Sequence, residues 1–490
     1  MNDAERSTNS NPFILSGRVG RGAYATTGVL LMLLKYGVEA AAILGATGRV
    51  YTPLDFAAPW LATRAEFADD GGAWLAVAWL VWTIPFVWIA VAMTLRRARD
   101  ADYSPWLCLL ILLPLLNFAT MLFMAIAPTS AEATAKARIR RRAAEANDQA
   151  VREAWASPQS EDEAPTRVPP ADDAPGLVAA LGGLAVGVVY CVAMVLLSVY
   201  GFDSYGAALF FGAPVVTGAA SGYLYNRGAE RSIAATLGHA SAVVACCCGA
   251  FLIVGLEGGI CIIMAMPILG PLALFGALIG RAIAGAAELQ RAERDDRGML
   301  GCLIVLPVLA GVEPMIFEPL PLMAETTIEI NAPRDEVWRA VVAFPEIESR
   351  PAWYFRWGIA SPIRARIDGH GVGAVRYCEF TTGAFVEPIT VWDEPTRLAF
   401  DVTDQPDPMF EMTPYRHLHP PHLQKSFLSD RGEFELIELP GGGTRLVGRT
   451  WYTLDIAPHG YWRHWSDALV HRIHLRVLEH IKVVAERNAA

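Results

Sequence analysis

The chain has 490 residues, 53% of them hydrophobic and only 18% charged, and a formal net charge of −10. That composition is far from an average soluble protein and calls for membrane spans, while the length allows two to four domains. The negative balance argues against a nucleic-acid partner held by bulk charge.

Residues 1–16 are polar and read as a disordered N-terminus. The first 22 residues have no apolar core of the kind a cleavable signal peptide needs. Gly17-Arg18-Val19-Gly20-Arg21-Gly22 has phosphate-loop glycines but follows no strand, so it reads as a basic flank to the first span. A first transmembrane domain then covers 17–128, with spans at about 23–45 and 73–95. Lys35 and Glu39 lie four apart in the first span, placed either to pair within it or to reach the headgroups. Arg96, Arg97 and Arg99 read as a short basic loop on the cytoplasmic side. The apolar stretch 106–127 is interrupted by Pro114 and Asn117. The basic run from Arg138 to Arg142 favours a re-entrant hairpin there over one full span.

These residues resemble a small bacterial inner-membrane family of unknown function with a G-R-x-x-R start and an R-R-L-H-D-x-x-x-S-x-W loop. Gly17, Arg18 and Arg21 match the start, and Arg96, Arg97, Asp100, Ser104 and Trp106 match the loop. Ala98 and Arg99 depart from it, standing where that family has Leu and His. The resemblance implies a membrane location and no known chemistry.

Residues 129–176 read as a charged helix (131–155) followed by a Pro-rich acidic linker. A second transmembrane domain, 177–318, is rich in Gly and Ala, with spans at about 177–200, 206–225, 232–254, 260–284 and a marginal one at 299–318. His239 and Glu257 are isolated polar residues in it, and no Asp/Glu/His series marks a proton path. Seven of the eight cysteines lie in these apolar regions without a CxxC pair, so neither a zinc framework nor disulfides are expected. Basic 281–297 and acidic 313–325 favour a span at 299–318. A span there puts the C-terminal part on the extracytoplasmic side of the bacterial cytoplasmic membrane; a segment that only dips in keeps it cytoplasmic.

From Thr326 the pattern changes. Thr326–Ile330 alternates like a strand, Asn331-Ala332-Pro333 breaks it, and Asp335, Glu336, Val337, Trp338, Val341 and Phe344 begin a short helix. Strand-like runs at 363–367, 374–381, 385–392, 398–403, 433–439 and 444–454 flank glycine- or proline-rich turns. A long helix follows at about 460–487. This opening, I-x-I-x-A-P-x-x-V-W, resembles the SRPBCC superfamily (START-like, polyketide-cyclase and lipid-transfer relatives) over 325–487. The resemblance implies an α+β helix-grip domain: a curved antiparallel sheet of about seven strands closed by one long C-terminal helix. It implies no shared catalytic signature.

Candidate site residues follow from chemistry within this frame. Arg376, Glu379, Glu387 and Trp451 lie in otherwise apolar strands, and a carboxylate facing an apolar pocket serves as acid or base. On the long helix, Trp462, Leu469, Ile473, Val477 and Val484 form the expected packing stripe. His464, Asp467, His471 and His474 fall nearly opposite, as a solvated face or a weak metal set. Glu379 and His474 are the catalytic candidates. The insertion 404–428 offers Met409 and Tyr415 as a cover for an apolar cavity, and His417, His419 and His422 as further ligands. The resulting expectation is a membrane-tethered binder of a lipid-like apolar molecule, with no cofactor. A cyclase- or hydrolase-type enzyme and a membrane transport or assembly component are the alternatives.

Overall fold

A computed structural model describes residues 11–57, 67, 72–113, 116–129, 174–229, 231–285, 292–413, 415 and 419–490. The charged segment 131–155, the linker as far as residue 173, Pro114 and His417 lie outside them. The first half is helical: α1 (Arg21–Thr47), α2 (Ala73–Ala101), a 3-10 turn (Pro105–Leu112), α3 (Leu116–Ile126), α4 (Ala174–Val195), α5 (Ala213–Asn226), α6 (Ile233–Val254), α7 (Gly259–Ala284) and α8 (Ala292–Val312). Seven of the described helical stretches are long and apolar enough to cross a bilayer, including Asp296–Met315. Leu30, Leu33, Leu80, Val189 and Ile253 on these stretches are exposed, as lipid-facing side chains are. The chain is a multi-pass membrane protein. Residues 105–126 are two short helices rather than one span, because 11 residues of α3 reach only about 16 Å at 1.5 Å per residue.

The chain divides into two compact units. The first comprises 1–183, 219–239 and 277–304. Here one expectation is corrected: Arg96, Arg97 and Arg99 are not in an exposed loop. α2 continues to Ala101, and Arg96 and Arg97 are 2% and 0% exposed. Their charge is tolerated because backbone carbonyls accept hydrogen bonds from their guanidinium N–H groups. Arg97 donates to Met124 O (2.9 Å) and Ala127 O and pairs with Asp100, so it caps the C-terminal end of α3. Arg99 donates to Leu15 O (2.6 Å) and Ala282 O (2.7 Å), and Arg96 to Asn11 O (3.0 Å). Val19, Tyr24, Ile89, Met93, Ala98 and Met124 pack around this point. Lys35 and Glu39 pair within the protein, with Lys35 facing the Phe56 and Phe86 rings, rather than reaching outward. α5 and α7 touch backbone to backbone: a Cβ at Gly280 would lie 2.0 Å from Ala219 O, so only glycine permits that approach.

The second unit comprises 184–218, 240–276 and 305–490. Its C-terminal part is one seven-stranded antiparallel sheet in the order β1-β7-β6-β5-β4-β3-β2, with β1 (Leu320–Ile330), β2 (Pro362–Asp368), β3 (Val375–Phe380), β4 (Gly383–Asp393), β5 (Arg397–Asp401), β6 (Phe427–Glu438) and β7 (Thr444–Leu454). α9 (Arg334–Val342) follows β1 with Asp335 and Glu336 in its first turn, and α10 (His459–Ala489) closes the domain. This is the helix-grip architecture. β6 starts six residues earlier than the pattern indicates. A bulge between Ser429 and Arg431 shifts its inside–outside phase and hides the alternation.

Two cores hold the unit. Ile330, Val337, Trp338, Val341, Leu398, Leu436, Leu446, Leu478 and Ile481 fill the space between sheet and helices, with Trp338 edge-on to Trp392 at 5.5 Å. Each such side chain contributes on the order of 1.5–3 kcal/mol. The other core joins Tyr452, Leu454, Ile456 and Trp462 of the domain to Val195, Phe210, Val243, Cys247 and Phe251 of the helices in the same unit.

Candidate ligand-binding cavity

Strand alternation decides which side chains face α10. In β3, Arg376, Cys378 and Phe380 point inward and are buried, while Tyr377 and Glu379 point out. In the β3–β4 register Arg376 stands opposite Glu387, and the two form a buried ion pair. Arg376 is 1% exposed. Its Nε donates to Val342 O at 3.3 Å, and the Phe344, Phe400 and Phe434 rings surround the guanidinium at 5.6–5.9 Å. Nη2 is buried with no hydrogen-bond partner. Burial pushes the Glu387 carboxyl up and Arg376 opposes it, whereas the guanidinium stays charged. Burial also pushes the Cys378 thiol up to about 12, so it is chemically inert.

Above this pair lies a partly open cavity of about 110 Å³. Phe380, Phe385, Phe400, Phe427 and Phe434 line it from the sheet, Leu469, Ile473 and His474 from α10, and Gln405–Pro408 from the connection after β5. Gln405 holds that connection in place: its Nε2 donates to Phe427 O at 2.8 Å and its Oε1 accepts from Ser429 N–H at 2.8 Å. A larger depression of about 450 Å³ lies on the sheet's outer face. Its walls are charges that satisfy one another, Arg397 with Glu433 and Arg449 with Glu325, Glu433 and Glu435. The inner space is therefore the better ligand site.

The structure separates the candidates named from sequence. Arg376, Glu387 and His474 converge on the cavity. Glu379 does not: it stands on the outer face between Arg364 (2.7 Å) and Arg366 (3.1 Å), and the Arg364 hydrogen bond foremost holds its carboxyl below the usual range. Trp451 is also on the outer face, beneath the Arg431 guanidinium at 4.1 Å. Met409 is buried next to Ile359, outside the cavity lining. The Tyr415 hydroxyl donates to Ile253 O.

The long helix is also corrected. His474 is not opposite the packing stripe but within it, because the buried residues run through Trp462, Ser466, Val470, Val477, Leu478 and Ile481. Its Nδ1 is hydrogen-bonded to Thr326 Oγ1 (3.1 Å) and its Nε2 to Thr450 Oγ1 (2.8 Å), and His471 shares Thr326 at 2.8 Å. Asp467 accepts from the Tyr452 hydroxyl at 2.5 Å and from Arg463 at 3.3 Å, while His464 is exposed. The set His464, Asp467 and His471 therefore does not converge on one point.

Burial pushes the His474 imidazole down to about 4, from about 6.5 in an unfolded chain. The unfolded state then takes up a proton before the folded state does. The neutral ring's contribution is complete above pH 6.5 and declines as pH falls toward 4, by on the order of 2–3 kcal/mol. His474→Gln is expected to flatten that acid limb in thermal unfolding of the whole chain. An unchanged slope in the variant counts against this burial.

One constellation was not assembled from sequence. Glu257, Cys261 and His422 come together beside Tyr205. Glu257 had no visible partner, and His422 is 161 residues beyond Cys261, so no local spacing signals the group.

The fold and cavity define a class: a multi-pass membrane protein carrying a helix-grip domain with an apolar internal site. Residues 12–135 match a family described as "Protein of unknown function (DUF805)", a bacterial membrane family. The match covers the buried arginines of α2. No curated protein matches the chain. Among solved structures, the Zhui aromatase/cyclase from Streptomyces sp. R1128 is 16% identical, covering 35% of this chain and 97% of its own, with a TM-score of 0.22. A norcoclaurine synthase from Thalictrum flavum is 9% identical over 36% of this chain and 99% of its own, with a TM-score of 0.24. The di-domain aromatase/cyclase StfQ of the steffimycin pathway is 14% identical over 42% and 62%, with a TM-score of 0.23.

Proposed function

We propose that this protein is a membrane-tethered binder of an apolar, lipid-like molecule that carries one oxygen acceptor. The observation that carries this reading is Arg376: a buried guanidinium with one free N–H edge, Nη2, set among phenylalanines. An unpaired buried donor is costly, and a ligand carbonyl or carboxylate would satisfy it while the rings cover its apolar body. At about 110 Å³ the cavity takes a ring or a short chain end, less than the roughly 300–1,000 Å³ of drug-sized sites. A longer ligand enters past Gln405–Pro408, a wall made of connecting chain. His474 has both ring nitrogens occupied by threonine hydroxyls and Glu379 is outside, which favours binding over acid–base catalysis. Organic extraction of the purified full chain, followed by mass spectrometry, tests this. A stoichiometric apolar molecule with an acceptor group is expected, and Arg376→Leu is expected to lose it. Consistently empty protein, together with no uptake of a fluorescent fatty acid, removes the proposal.

A further inference from the structure

Three side chains suited to a transition metal meet where the segment carrying Glu411 and His422 lies on the turn before α7. Glu257 and Cys261 are four residues apart across the start of that helix. Cys261 Sγ lies 3.0 Å from His422 Nε2, and His422 Nδ1 lies 3.6 Å from Glu257 Oε2. One ligand atom from each of the three lies within 4.8 Å of the others. The His422 and Glu257 side chains are only 10% and 14% exposed. Glu257 Oε2 is buried and has no hydrogen-bond partner, and neither has Oε1 of the adjoining Glu411. Glu411 reaches this place because residue 258 is glycine, where a Cβ would lie 2.1 Å from its Oε2. That oxygen accepts from Ile260 N–H at 3.1 Å.

We propose that Glu257, Cys261 and His422 form a binding site for a zinc-like divalent metal ion, which clamps the His422 segment onto the turn before α7. The mixed sulfur, nitrogen and oxygen set suits zinc and excludes magnesium and calcium, which take oxygen ligands. Metal–ligand bonds of about 2.0–2.3 Å place tetrahedral ligand atoms about 3.5 Å apart, so the Cys261–His422 pair, at 3.0 Å, opens slightly on binding while wider separations shorten by up to about 1 Å. The buried His422 ring has Nε2 toward Cys261 and Nδ1 toward Glu257, so one ring nitrogen can serve as the ligand. Cys261 binds as the thiolate, and its proton is released to solvent on loading. Tyr205, whose hydroxyl donates to Glu257 Oε1 at 3.0 Å, orients the carboxylate. The site does not depend on the ligand reading of the cavity.

The test uses the full chain in detergent, stripped with a chelator and titrated with Co²⁺ and then Zn²⁺. One cobalt per chain is expected, with a thiolate-to-cobalt charge-transfer band that zinc abolishes. Cys261→Ser is expected to lose the band, and His422→Ala to weaken binding at least tenfold. Cys378→Ser, a buried thiol of the sheet, is expected to change neither. Should the variants fold poorly, wild-type protein alone decides: bound zinc should protect Cys261 from alkylation. No charge-transfer band in wild type, a band that survives Cys261→Ser, or Cys261 alkylated equally with and without zinc overturns the site.

Discussion

Replacing Arg376 with alanine is expected to destabilise the C-terminal domain by about 3–5 kcal/mol, the usual cost of leaving one half of a buried ion pair. Glu387, 5% exposed in the intact protein, would lose its counter-charge. Glu387→Ala should cost a similar amount, because Arg376 would keep the Val342 carbonyl and its aromatic neighbours but no counter-charge in the cavity. The double variant Arg376→Met/Glu387→Met should recover most of the loss, since paired apolar replacements avoid an orphaned charge. Chemical unfolding of the full chain, followed by tryptophan fluorescence, measures all four proteins. Equal losses in the double and single variants would show that the site matters through shape rather than charge. The same substitution separates stability from ligand retention: the double variant should fold and yet hold no acceptor-bearing ligand.

Arg97→Ala should be the most damaging single change in the first unit. Three acceptors lose a charged donor, at about 1.5–3 kcal/mol for each charge-assisted bond. Two of them are carbonyls at the C-terminal end of a short helix whose own last turn carries no basic residue. Arg97→Lys should rescue little, because one ammonium does not reproduce the planar fork. The comparison is Arg227→Ala, whose partner Asp296 is 32% exposed and whose pair is worth about 0–1 kcal/mol. Thermal unfolding of the detergent-solubilised chain should show a large drop for Arg97→Ala, a nearly equal one for Arg97→Lys and almost none for Arg227→Ala. A full rescue by lysine would sink the capping role.

Much of the architecture was legible from sequence because its signals are local. Each of the seven long apolar stretches carries its own hydropathy, and most of the 299–318 segment falls in a helical stretch, Asp296–Met315, long enough to span. The strands of the helix-grip domain announce themselves by alternation between glycine and proline turns. Five agree to within a few residues at either end, while β1 and β6, the latter with its bulge, each begin six residues before the expected place. The Asn-Ala-Pro break set the start of α9 at the correct turn.

The chemistry was less legible, for reasons that particular residues show. Alternation placed Arg376 with Cys378 and Tyr377 with Glu379, but period two carries no sign. Only packing against α10 showed that the arginine's face is the inner one. His474 was assigned to the wrong side because a helical wheel gives angular order and not the direction of the sheet. The arginines of α2 look like a loop because charge normally stays in water, and five carbonyl acceptors from distant segments reverse that preference.

By itself, the sequence determined that the chain crosses a membrane several times and ends in an antiparallel sheet capped by a long helix. Hydropathy and periodicity are properties of contiguous residues and survive without any partner. The tertiary structure decided which groups are buried, which carboxylate meets Arg376, how small the cavity is, and that Glu257, Cys261 and His422 share one place. Those outcomes depend on register, on the β6 bulge and on contacts across more than 150 residues. Burial and pairing energies are set there, because a charged or ligating group takes its properties from the atoms around it rather than from its neighbours along the chain.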